Sequence, residues 1–193
     1  MPSKARRGTL FIIIGPSRVG KNAIVHRLLR KRSLRLHDLV TVTTRKRRKG
    51  ERHGKDYFFI SDVEFDKLIK RNGFIEWVHI QTHRSGTPKQ PLMQWLASGK
   101  DVVADLDVHG ALSYQQDKRF NVVTIFILPG SLRELRARLN ASIIDSHERA
   151  VRWNTMKKEM ALQPQFDYRV INGQGKLDQS VAEVAAIIKA HQG

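Results

Sequence analysis

The stretch that decides the fold runs from Leu10 to Arg30, LFIIIGPSRVGKNAIVHRLLR. Its first five residues, Leu10 to Ile14, are an apolar run of strand length. Gly15-Pro16-Ser17-Arg18-Val19-Gly20-Lys21 follows, and then an amphipathic helical pattern. A Gly-x-x-x-x-Gly-Lys segment between strand and helix has the spacing of a phosphate-binding loop. The loop's N–H groups and the positive helix end face an anion, and Lys21 adds a point charge for terminal phosphates. Two positions depart from the pattern. Asn22 stands where a Ser or Thr hydroxyl would ligate magnesium, and its amide oxygen is the hard donor that remains. Arg18 is expected to point to solvent rather than toward a phosphate.

The remainder of the chain sets bounds on that reading. It has 193 residues, 40% of them hydrophobic, and a mean hydropathy of -0.42, which suits one globular domain with small inserted lobes. No apolar run approaches the ~20 residues that span a bilayer, and Leu10 to Ile14 is too short for a signal-peptide core. The absence of cysteine excludes disulfides, zinc-thiolate sites and thiol catalysis, and fits a cytoplasmic setting. With 35 Lys+Arg against 18 Asp+Glu the formal net charge is +17. Such a field draws polyanions, either nucleotides or nucleic acid, although a solvated basic surface gives the same count. Two basic runs stand out: Arg27, Arg30, Lys31, Arg32 and Arg35, then Arg45 to Lys49 with Arg52 and Lys55.

Short apolar runs recur at Val102 to Leu106, Val122 to Leu128 and Tyr168 to Ile171, with helical patterns between them. That alternation predicts an α/β fold, a parallel sheet covered by helices on both faces. Ser131-x-x-Glu134 reads as a capping box opening the helix that carries Arg138, and Val181, Val184, Ile187 and Ile188 give the last helix its buried stripe. From Leu39 to Trp77 the pattern changes. Short strands at Val40 to Thr44, Tyr57 to Ile60 and Phe74 to Ile80 surround one helix, which opens at a second capping box, Ser61-x-x-Glu64. This region reads as an inserted, partly antiparallel lobe.

The most specific signal is Thr43 to Phe59, TTRKRRKGERHGKDYFF. Two arginines three apart beside a strand, a Gly-containing turn and a Tyr make a monophosphate clamp, since guanidinium forks match phosphate oxygens and a phenol adds a neutral donor. By this order of residues the chain resembles the guanylate kinase family over essentially its whole length. The pattern Thr-Thr-Arg-x-x-Arg-x-Gly-Glu-x-x-Gly-x-Asp-Tyr-x-Phe is present. Phe74-Ile75-Glu76-Trp77, Gly86-Thr87-Pro88, Asp105-Leu106-Asp107-Val108-His109-Gly110, Ile127-Leu128-Pro129 and Asp167 to Asn172 follow in family order.

That resemblance implies a P-loop kinase with a core at 1–38, 98–139 and 153–193, a GMP-binding lobe at 39–97 and a short lid at 140–152. The activity implied is transfer of the γ-phosphate of ATP to GMP, with Mg2+ as cofactor. ATP would meet Gly15, Ser17, Arg18, Val19, Gly20, Lys21, Asn22 and Ala23, with Arg138 and Asn172 beside adenine. GMP would meet Arg45, Arg48, Tyr57 and Ser85 through its phosphate, and Glu76, Asp107, Thr87 and Thr41 through its base, with Asp105 adjoining. The implied catalytic set is Lys21, Arg45, Asp105 and Arg152, with Asn22 and, through water, Asp105 serving the metal. The protein would be a monomer or homodimer that does not engage membranes.

Three departures from the family pattern are visible. Ser85 replaces a phosphate-binding Tyr, leaving His83 and Arg84 as the nearby stand-ins. The phosphate loop carries Arg18, Asn22 and Ala23. The lid is about one residue short, so its tip arginine falls on Ser142 or Ala141, while the second falls on Arg152, with Arg149 as a deputy. These losses set a second reading beside the first, a guanylate-kinase-like module that binds a phosphorylated or acidic partner. Retention of Gly15, Gly20, Lys21 and Asp105 favours the enzyme. Nucleic-acid binding through the basic surface finds no aromatic-basic interleaving to support it.

Overall fold

The computed structural model describes residues 6–80, 83–141 and 145–192. In chain order the elements are β1 (Leu10–Ile14), α1 (Lys21–Arg30), β2 (His37–Asp38), β3 (Val42–Thr43), β4 (Phe58–Phe59), α2 (Asp62–Lys70), β5 (Phe74–Ile80), β6 (His83–Pro88), α3 (Lys89–Ala97), β7 (Val102–Asp105), α4 (Val108–Gln116), β8 (Val122–Pro129), α5 (Leu132–Asn140), α6 (Ser146–Ala161), β9 (Tyr168–Asn172) and α7 (Leu177–Ala190).

The expected parallel sheet is present, with strand order β2-β7-β1-β8-β9 and β1 at its centre. Every residue of β1 is buried, as the unbroken apolar run requires of a strand covered on both faces. One face packs on α1 and α7 through Phe11, Ile13, Ile24, Leu28, Val184 and Ile188. The other packs on α3 and α4 through Leu10, Ile12, Leu92, Leu96, Ala111 and Tyr114. Among the described residues, no helix is long and apolar enough to cross a membrane.

The second sheet, in the order β4-β3-β6-β5, forms the inserted lobe. It mixes a parallel pair, β3 with β4, with two antiparallel ones, β3 with β6 and β5 with β6. Its small core is Val42, Phe65 and Phe74, closed by α2. Both bonds of the Ser61–Glu64 capping box form: Ser61 N–H donates to Glu64 at 2.8 Å and Glu64 N–H to Ser61 Oγ at 3.2 Å. At α5 only half of the expected box forms. Ser131 Oγ accepts from Glu134 N–H, but the Glu134 carboxylate accepts from Gln174 N–H at 3.0 Å, tying α5 to the loop after β9.

Candidate active site

The loop between β1 and α1 owes its shape to two glycines. Gly15 has φ +142° and a Cβ there would lie 2.5 Å from the Ile127 carbonyl oxygen. Gly20 has φ +106° and a Cβ would lie 2.4 Å from Asn172 Nδ2. Buried Asn172, at the end of β9, donates from Nδ2 to the Val19 carbonyl at 2.8 Å and accepts from Ser180 Oγ at 3.2 Å. Arg138 donates to the same carbonyl at 3.2 Å and to the Asn172 carbonyl at 3.1 Å. Both residues therefore brace the loop from below, Arg138 reaching in from α5. Lys21 Nζ donates to the Gly15 carbonyl at 2.8 Å and sits 3.9 Å from Asp105 Oδ1. That proximity follows from register, because Asp105 pairs with Ile13 at the carboxyl end of β7, next to the loop. Burial pushes the Asp105 carboxyl above the usual range, while Lys21 pulls it down. Ser17, Arg18, Asn22 and Ala23 are exposed, as expected for Arg18.

A cleft of about 330 Å³ lies between this loop and the lobe. Its walls bring together Gly15, Ser17, Lys21, Asn22, Asp105 and Asp107 from the core with Thr41, Tyr57, Glu76, Ser85 and Thr87 from the lobe side. Glu76 is aimed by an irregularity in β5, where the pairing with β6 shifts register between Phe74 and Trp77. Its Oε1 accepts from the buried Thr87 hydroxyl at 2.9 Å. Burial raises the Glu76 pKa, opposed by the Thr87 bond and assisted by Asp107. Asp107 caps α4, its Oδ1 accepting from His109 N–H and Gly110 N–H at 2.9 Å.

Of the clamp, Tyr57 lines the cleft and the two arginines do not. Arg45 makes a two-pronged pair with Glu51, at 2.8 and 3.1 Å, and its Cζ lies 5.3 Å from the Tyr57 ring centroid. Arg45 holds the Glu51 carboxyl below its ordinary range, and Glu51 also accepts from Arg48 N–H at 2.7 Å. Arg48 itself is exposed. Arg84 is turned away from the cleft. Its guanidinium meets Asp62 at 2.7 Å and Asp66 at 2.5 Å, over the Phe65 ring. Of the expected lid, Ala141 caps the end of α5, and residues 142–144, with Ser142, lie outside the described residues. Arg152 pairs with Glu148 one turn earlier on α6 at 2.6 Å.

Two residues, one lining the cleft and one buried behind it, were not anticipated. Glu159 lines the cleft from α6, its carboxyl pushed up by burial and by Asp107 and pulled down by Lys21. It stands seven residues after Arg152, hence on the same edge of the helix, and that spacing was readable. Tyr114, two turns along α4 from Asp107, is buried beside Thr87 and Glu76.

The guanylate kinase family model matches residues 7–191. The chain belongs to the guanylate kinase family. It is 38% identical over 186 residues to a guanylate kinase of Polaromonas sp., covering 96% of this chain and 88% of the relative. It is 38% identical over 187 residues to that of Thermotoga maritima, with the same coverage. The crystal structure of guanylate kinase from Anaplasma phagocytophilum is similar, with a TM-score of 0.79 and 26% identity, covering 97% of this chain and 87% of that one. Membership makes this chain an α/β P-loop enzyme, a nucleoside monophosphate kinase that uses ATP.

Proposed function

We propose that the cleft binds GMP on its lobe side and the ATP triphosphate on its loop side, and that transfer runs between them. The observation that carries this reading is the Glu76–Thr87 pair, which faces the same cleft as Lys21 and Asp105. A carboxylate accepts from both N1–H and N2–H of guanine, whereas adenine offers no such pair of donors on that edge. Asp107 and Thr41 complete the base pocket. Arg45, Arg48 and Tyr57 hold the acceptor phosphate, and the division into core, lobe and lid follows.

In the reaction a GMP phosphate oxygen attacks the γ-phosphorus. The bond to the β–γ bridging oxygen breaks, and its electron pair leaves with ADP. Such chemistry depends on alignment and charge neutralisation. Lys21 exchanges the Gly15 carbonyl for phosphate oxygens, while Arg138 and Asn172 keep the loop N–H groups convergent. Arg152 exchanges Glu148 for the transferring group, since it shares the helix edge of Glu159, which already faces the cleft. Asn22 and Asp105 offer an amide and a carboxylate oxygen at one rim, a hard donor set that suits magnesium, which retains waters and takes its other ligands from phosphates. When bound there, Mg2+ would neutralise charge on the β- and γ-oxygens. The cysteine-free composition agrees with a cytoplasmic enzyme. Coupled ADP-release assays with GMP, dGMP, AMP and UMP test the reading. GMP and dGMP should turn over well ahead of the other two, and equal turnover with AMP would place the guanine pocket elsewhere.

A further inference from the structure

Strand β6 presents alternate residues to opposite faces. Ser85 and Thr87 face the cleft, and Arg84 faces α2, held there by Asp62 and Asp66. His83, two residues before Ser85, therefore belongs to the cleft face. Its partner across the ladder is fixed by register. Val42 faces Gly86 and Thr43 faces Ser85. One step further, Thr44 N–H donates to the Arg84 carbonyl at 3.0 Å, and Arg84 N–H donates to Thr44 Oγ1 at 3.0 Å. Past the end of β3 the chain bends at Arg45, and continuing the register by one residue sets Arg45 toward His83. Residues directly opposite place their Cβ atoms about 4.5–5.5 Å apart on one face. The half-buried His83 imidazole thus lies within electrostatic reach of the guanidinium read as the main phosphate clamp.

We propose that His83 is a further ligand of the acceptor phosphate, beside Arg45, Arg48 and Tyr57, and that it takes up a proton from solvent when that phosphate binds. The charged groups that act on it are Arg45 and Arg48 from the segment after β3 and His79 from β5, with the Glu51 carboxylate forked onto Arg45. Burial, and then these cations, press its pKa below the ordinary histidine value, which favours the neutral imidazole in the free protein near and above neutral pH. A phosphate dianion between His83 and Arg45 reverses that field and favours the imidazolium. Since the bound form then has the higher pKa, GMP affinity is greatest where His83 can be protonated and declines as pH rises through the bound-state pKa. The donor lost with Ser85 is thereby replaced by one that responds to pH. Arg84, the other stand-in, is already committed to α2.

This inference rests on the cleft being the GMP site, and the experiment separates the two. The full chain is titrated calorimetrically with GMP and with guanosine near pH 7.5, in two buffers of different protonation enthalpy. Phosphate monoesters have a second pKa of about 6, so free GMP is then nearly all dianion, and its small release of protons opposes the uptake sought. The expected result is net proton uptake with GMP and none with guanosine. The GMP dissociation constant should rise about threefold to tenfold between about pH 6.5 and about pH 8, as follows when the phosphate lifts the imidazole pKa by about one to two pH units. His83→Ala should bind guanosine normally, bind GMP more weakly, and lose both the uptake and the slope. His83→Gln keeps a neutral N–H donor and should recover part of the affinity without the uptake, and it decides the matter if the alanine variant does not fold. Uptake that persists in either variant, or GMP binding by the unchanged protein without uptake, overturns the role of His83. Guanosine binding with no gain from its phosphate overturns the acceptor site and this inference together.

Discussion

The two sides of the cleft are prepared to different degrees. On the acceptor side Glu76 is fixed by Thr87, Arg45 is forked onto Glu51 and stacked near Tyr57, and Asp107 is locked as a helix cap. On the donor side Lys21 rests on a loop carbonyl, Arg152 is spent on Glu148, and Arg18 holds a left-handed backbone. A prebuilt acceptor site loses little order on binding, so its interactions appear in affinity. A donor site that must exchange partners shows its interactions in the rate of transfer. If that contrast is right, substitutions on one side should move GMP binding, and those on the other should move kcat.

The largest effect should come from Lys21→Met. Removing the one loop cation that reaches the transferring phosphates should lower kcat by about 10³-fold or more, with GMP affinity unchanged in a direct titration. A parallel loss of GMP affinity would break the division between the two sides. Next is Arg45→Ala, expected to raise the GMP dissociation constant about 10²-fold, in line with ~2–3 kcal/mol for a charge-assisted bond, and to leave guanosine binding intact. Equal losses for both ligands would assign Arg45 to holding Glu51 and the turn rather than to the phosphate.

Glu76→Gln sharpens the acceptor side. Losing a buried acceptor for two guanine donors should cost about 1–3 kcal/mol of discrimination, so the GMP to AMP preference should narrow about 5- to 150-fold. The same residue sets the acid limb of GMP binding. Glu76 must be ionised to accept both bonds, and burial has raised its pKa. Affinity is therefore complete above that raised pKa and lost as pH falls through it. Titrations on either side should show this limb disappear in Glu76→Gln.

Much of this arrangement was legible in the sequence, for reasons that differ by region. Strand β1 is an uninterrupted apolar run ending in a glycine-bounded loop, and a parallel core strand can hardly read otherwise. The clamp segment was legible because its spacing of arginines, glycines and Tyr serves one purpose. Strand β6 and helix α3 were not foreseen as elements. His83 to Pro88 contains a Gly and a Pro and no apolar alternation, since its inner face is committed to Ser85 and Thr87 in the cleft rather than to a core. The surroundings of Arg138 and Asn172 were equally hidden. The bonds by which they brace the loop run to the carbonyls of Val19 and of Asn172 itself, and backbone partners leave no residue-type signature. Glu159 was hidden differently: only its seven-residue spacing from Arg152 marks it, and a helix surface carries many such coincidences.

Asn22→Ser tests whether the donor side is limited by its metal rim. A hydroxyl replaces a neutral amide oxygen whose support is needed as charge develops in transfer. kcat should rise by about tenfold or less, roughly 1 kcal/mol, while GMP affinity stays constant. Failure of kcat to rise would move the handicap from the loop to the lid, where Arg152 first has to leave Glu148.

The smallest effect, Arg18→Gly, concerns the loop before any ligand arrives. Arg18 has φ +66°, a left-handed backbone that costs a non-glycine residue about 1–2 kcal/mol. Glycine removes that strain but loses about 0.5–1 kcal/mol more chain entropy on folding. The net gain should be about 0.5–1 kcal/mol, read as a rise in Tm of a few degrees, about 2–4 °C for a chain of this size. Because Arg18 is exposed, the ATP KM should be unchanged. A gain in stability accompanied by weaker ATP binding would mean that the strain holds this guanidinium toward the triphosphate. The loop would then count as prepared for its ligand, and the contrast between the two sides of the cleft would be correspondingly smaller.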